Sequence, residues 1–80
     1  MSADKLVYMA NQVGKFFAPQ GDEAVVSGVA EHLERFWDPR MRALIGAHLD
    51  AGGAGLDEAV RRAVALMVSR ARARQGGEAI

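Results

Sequence analysis

The sequence predicts an all-α fold, a small compact bundle of about four helices. Three observations carry that expectation. Apolar residues recur at three- and four-residue spacing in successive segments, and Pro or Gly punctuates each junction between them. No segment alternates apolar and polar residues as a half-buried strand does. The composition is rich in Ala, Leu, Val, Arg and Glu, with only 6% aromatic residues, which favours helix over strand.

The first helix is expected from about Asp4 to Phe17, with Leu6, Met9, Ala10, Val13, Phe16 and Phe17 on its inner stripe. Pro19 removes a backbone donor and restricts Ala18, so the helix stops there and Gly21 completes the turn. A second helix, Asp22 to Phe36, repeats the pattern with Val25, Val26, Val29, Leu33 and Phe36. Asp22 and Glu23 sit at the end where the helix dipole favours acids, and Glu31 lies four residues before Arg35, the favourable order for an ion pair. Its valines and Gly28 make it a weak helix alone, dependent on tertiary packing.

Asp38-Pro39 reads as a helix start. The Asp38 carboxylate can accept an orphan N–H of the first turn, and Pro39 suits the first helical position. This third helix runs to about Leu49, with Met41, Leu44, Ile45, His48 and Leu49 inward. The run from Asp50 to Gly55 is a stop and turn. Asp57 is expected to cap a fourth helix whose stripe is Val60, Ala63, Val64, Met67 and Ala71, with Asp57 and Glu58 paired to Arg61 and Arg62. Fraying is expected through Arg70–Arg74. The domain therefore spans 1–74, followed by a disordered tail at 75–80.

Eighty residues make one domain with a modest core. Cysteine is absent, so neither a disulfide framework nor a thiolate metal site can reinforce it, and a second protein chain is the remaining source of support. No stretch is long or apolar enough to span a bilayer, and Met1–Lys5 lacks the features of a signal peptide, so a cytoplasmic location is expected. Net charge is zero but unevenly spread. Nine acids face five Lys/Arg in 1–60, whereas five Arg face one acid in 61–80.

Few residues invite a catalytic reading. Ser27 and Ser69 lie inside predicted helices without a neighbouring His, and His32 and His48 border apolar faces, where a hydrogen-bonded structural imidazole is the commoner state. The Gly52-Gly53-Ala54-Gly55 turn is no phosphate loop, because Leu56-Asp57 follows it where Lys and Ser/Thr would be required. The C-terminal arginines could grip a nucleic-acid backbone, but no aromatic residues interleave them, and the helix dipole favours cations there anyway. A nucleic-acid-binding regulator is kept as the alternative function. Arg40 and Arg42 are harder to explain, since the first turn of a helix disfavours cations. Trp37 beside them adds the pairing of residue types enriched at interface hot spots. The corner is either purely structural, with Trp37 plugging the core, or one that also anchors a partner. The second reading is favoured, with Arg35, Trp37, Asp38, Arg40 and Arg42 as the expected contact.

Three runs carry a family resemblance: Met9-Ala10-Asn11-Gln12-Val13-Gly14-x-Phe16-Phe17, His32-Leu33-x-Arg35-Phe36-Trp37-Asp38-Pro39-Arg40-Met41-Arg42, and His48-x-Asp50-Ala51-Gly52-Gly53-x-Gly55-Leu56. Together they resemble the delta subunit of NAD-dependent, molybdenum-containing formate dehydrogenases, over about residues 5–67. The resemblance implies a non-catalytic accessory subunit of a bacterial complex that oxidises formate to CO2 with NAD+, associated with insertion of the cofactor or stability of the complex. It implies a catalytic alpha subunit carrying bis-molybdopterin guanine dinucleotide molybdenum and iron–sulfur clusters, with FMN and further clusters in the beta and gamma subunits. No cofactor is expected in this chain, which has no thiolate to hold a cluster. Asn11 joins the Arg35–Arg42 run as a hypothesised contact.

Overall fold

A computed structural model describes residues 1–78, with side chains described through Gln75. Four helices follow one another, α1 (Ala3–Phe17), α2 (Asp22–Phe36), α3 (Pro39–Asp50) and α4 (Glu58–Glu78), with a single 3-10 turn at Ala18–Gln20. No strand occurs among the described residues. Of the tail expected at 75–80, residues 75–78 continue α4 and residues 79–80 lie outside the described residues. No helix among the described residues is long and apolar enough to cross a membrane.

Local chemistry sets the boundaries. The Ser2 hydroxyl accepts the Lys5 N–H at 3.3 Å and opens α1, a cap the apolar pattern does not reveal. Pro19 ends α1 as predicted, and Gly21 takes a φ of +101° to redirect the chain. Asp38 opens α3 as its sequence position requires, accepting the Met41 N–H at 2.8 Å. At the other end, Gly53, at φ +67°, donates its N–H to the His48 carbonyl and closes the helix. Asp57 precedes α4 and accepts the Arg61 N–H at its backbone carbonyl, 2.8 Å away.

The core is dominated by α2 packed on α4. Val25, Val29, Ala30, Leu33 and Trp37 meet Val60, Ala63, Val64 and Met67, while Leu6, Val7 and Ala10 of α1 and Ile45 of α3 close the sides. Ion pairs Glu23–Arg62 and Glu34–Arg70, at 3.1 and 3.0 Å, lie toward opposite ends of this contact and show that α2 and α4 run in the same direction. Arg62 thus reaches across to α2 and Arg61 donates to the Gly52 carbonyl, in place of the pairings expected within α4. The Glu31–Arg35 pair forms as expected, at 3.2 Å.

Several expected inward residues face outward. On α1 the buried stripe is Leu6, Val7, Ala10 and Gly14, with Val13 and Phe17 at its edge, whereas Met9 and Phe16 are exposed. The reason is Gly14. A Cβ at that position would lie 2.5 Å from a methyl of Val60, so α1 approaches α4 over its bare backbone and the helix rotates to present Gly14 inward. Leu44 of α3 is also exposed, with Gly46 buried near Val68 instead.

Gly14→Ala is therefore expected to destabilise the domain by about 1–3 kcal/mol through overpacking, a fall of several degrees in Tm by thermal circular dichroism. Val60→Ala in the same chain should recover part of that loss. Strict additivity of the two substitutions would show that the close approach is not the cause.

Candidate partner-docking surface

The corner between α2 and α3 is built from the residues the sequence singles out. α2 ends at Phe36, and Trp37 adopts an extended conformation (φ −88°, ψ 139°) that turns its indole into the core. Position 37 lies four residues beyond Leu33, so the indole continues the buried α2 stripe, leaving Phe36 outside. Trp37, a member of the expected contact corner, is buried in the chain, with only 5% of the residue accessible.

Arg42 resolves the puzzle of a cation in the first turn of α3. Its guanidinium donates to the carbonyls of Glu34 and Trp37, at the end of α2, where unpaired carbonyls gather and the dipole is negative. Both bonds leave from Nη1, so one nitrogen with two hydrogens serves two acceptors at once. Asp38 is occupied with the α3 cap. Arg40 is exposed on the same turn, and among the described residues it makes no ion pair.

Asn11 lies apart from this corner. Its amide donates to the Gly55 carbonyl at 2.9 Å and accepts the Asp57 N–H at 3.0 Å, clipping the 50–57 turn onto α1 at the start of α4. His48 reinforces the same turn through Nε2 and the Ala54 carbonyl, 2.8 Å apart. The glycine turn is thus held by side chains from α1, α3 and α4. Trp37 is buried, Asn11 and Arg42 are half-buried and hydrogen-bonded to backbone of other elements, and Asp38, Arg35 and Arg40 are exposed, Asp38 as the α3 cap.

An aromatic ridge that the periodicity does not reveal crosses α1 and α2. Phe16 and Phe36 are 74% and 71% exposed, the most open large apolar side chains of the molecule's described residues. Phe16 meets Phe17 edge to face at 5.1 Å between centroids, and His32 meets Phe36 at 4.9 Å. Phe17 lies directly on Gly28, where a Cβ would come within 2.7 Å of its ring. A shallow depression of about 190 Å³ joins the two pairs, lined by Phe17, Gly28, Glu31, His32, Arg35 and Phe36. Tyr8 and Met9 extend the exposed apolar surface along α1.

The sequence does hold a signal for this ridge. Phe16-Phe17 and Phe36-Trp37 are adjacent pairs, and neighbouring positions on a helix point about 100° apart. One member of each pair has to turn outward. Exposed large apolar side chains gathered in this way make the ridge a candidate interaction surface.

The remaining chemistry is sparse. Among the described residues no group of three His, Asp or Glu side chains could hold a metal ion. Of the C-terminal arginines, Arg61, Arg62 and Arg70 are engaged within the chain, by Gly52, Glu23 and Glu34 respectively. The chain matches the family described as NADH-dependent formate dehydrogenase delta subunit FdsD over residues 5–64. No curated protein and no solved structure matches it.

Substitution separates structural from exposed arginines. Arg42→Ala is expected to cost about 1–3 kcal/mol by leaving the α2 carbonyls unpaired, whereas Arg40→Ala should change stability by less than about 0.5 kcal/mol. Urea unfolding midpoints read both values, and equal losses would contradict these assignments.

Proposed function

The chain belongs to the family of NADH-dependent formate dehydrogenase delta subunits, and on that premise we propose that it is a non-catalytic accessory subunit docking on the catalytic alpha subunit. Its role is to support insertion of the bis-molybdopterin guanine dinucleotide cofactor or the stability of the assembled complex. The location is the cytoplasm of a bacterium. Molybdenum, iron–sulfur clusters and FMN reside in the partner subunits, consistent with a chain that has no cysteine for a cluster.

The observation that carries the docking reading is the exposed ridge of Phe16, Phe17, His32 and Phe36. Aromatic side chains bury large areas at interfaces, and the paired rings, one pair edge to face and one tilted, arrive already ordered, so docking loses little further side-chain freedom. Arg35 stands at the rim of the same surface, 68% exposed, and is the candidate contact of the α2 end with the most direct access to it. Arg40 is a second exposed candidate. Asn11, Trp37, Asp38 and Arg42 serve the interface through the shape of the corner and the glycine turn.

A partner also suits the energetics. A core of this size supplies only a few kcal/mol of net stability, about 3–5 by the usual measure of small domains, and binding adds to it by mass action.

The test is the double substitution Phe16→Ser with Phe36→Ser. Both side chains are exposed, so Tm should change little, while co-purification with the alpha subunit and the molybdenum content of the recovered complex should fall together. Full recovery of both would remove the ridge as the docking surface.

A further inference from the structure

Apart from the aromatic ridge, a groove of about 510 Å³ lies between α3 and the C-terminal half of α4. Its floor is made by Ala43, Gly46 and Ala47 of α3 with Met67, Val68 and Ala71 of α4. These short side chains leave the backbone of α3 open to close approach by another helix, since interaxial distance is set by the side chains at the contact. The floor runs on from the end of the core at Met67, the last buried residue of α4 among the described residues.

The rim is cationic. Arg42, Arg72 and Arg74 line it, against Glu34 and Asp50. Glu34 is already neutralised by Arg70 at 3.0 Å, while Arg72 pairs with no described carboxylate. Glu34 also has a defect. Its Oε1 accepts from Arg70, but its Oε2 is buried without any hydrogen-bond partner. A buried acceptor left unmade is costly, and a donor brought into the groove would satisfy it.

We infer that this groove receives an acidic amphipathic helix from another subunit of the formate dehydrogenase complex. Small apolar side chains of that helix lie on the Ala43–Gly46–Ala47 floor, its carboxylates meet Arg72 and Arg74, and one of its polar hydrogens reaches Glu34 Oε2. The inference rests on the docking role and adds a second contact surface of different chemistry. The ridge holds by apolar burial and is insensitive to salt, whereas the groove selects by charge and weakens as salt rises. A nucleic-acid strand fits the groove less well, because its floor is apolar and offers no aromatic ring on which bases could stack.

The chain contains no cysteine, so Ala47→Cys creates a single thiol on the exposed groove floor. A thiol-linked photocrosslinker there, and a second preparation labelled through Arg35→Cys beside the ridge, are each assembled with the other subunits. The expected result is a crosslink from position 47 to a peptide of another subunit in which acidic residues outnumber basic ones. Its yield should fall about tenfold on Arg72→Glu, the size of one lost charge-assisted contact, and should drop in high salt. A crosslink from position 35 with none from 47 would overturn the groove assignment and leave the docking role standing. Silence at both positions would overturn both. A position-47 crosslink to a second copy of this chain, to a basic segment, or in a yield unaffected by Arg72→Glu would also overturn it, as would displacement by a single-stranded oligonucleotide.

Discussion

Packing of α2 on α4 is the contact from which the other helices hang. Neither helix is self-sufficient: α2 carries several valines and Gly28, and α4 loses its apolar stripe after Met67. Together they bury Val25, Val29, Leu33, Val60 and Val64 almost completely. Each such side chain contributes about 1.5–3 kcal/mol on leaving water, far more than the exposed Glu23–Arg62 pair can add. The ion pairs run alongside the seam; the aliphatic contact holds it.

That seam dictates where α1 and α3 go. α1 reaches it only by presenting Gly14 to Val60, and the price of this close fit is that Phe16 is left in solvent. α3 is held at its start by Arg42 on the α2 carbonyls and at its end by the Gly53 turn, with Ile45 as its fully buried apolar anchor. A helix fastened at its ends, by one fully buried side chain and by the half-buried Met41 and Leu49, keeps an open flank. Both candidate surfaces, the ridge and the groove, are thus consequences of how few residues the core can enclose.

Membership of the delta subunit family fits this economy. A free-standing domain of this size would be expected to bury its large aromatic residues; this one encloses Trp37 and displays Phe16 and Phe36. Polar side chains such as Asn11, His48 and Arg61 brace the glycine turn from three different helices.

Helix number, order and approximate limits were legible from sequence alone, because they depend on local chemistry: Pro19 and Gly21 as a stop, Asp38-Pro39 as a start, Gly53 as a closing residue. The four- and three-residue spacing of Val60, Val64 and Met67 also marked the buried face of α4. What periodicity could not decide was which of two neighbouring apolar residues turns inward. Met9 against Val7, and Phe36 against Trp37, are separated by one or two helical steps, and a stripe drawn through either looks equally regular. That choice fell to tertiary contacts: the bare backbone of Gly14 against Val60, and the extended turn that swings the indole inside. The roles of Asn11 and Arg42 were hidden for the same reason, since their partners are backbone atoms on other elements, and a sequence does not show which backbone groups remain unpaired until the helices are in place.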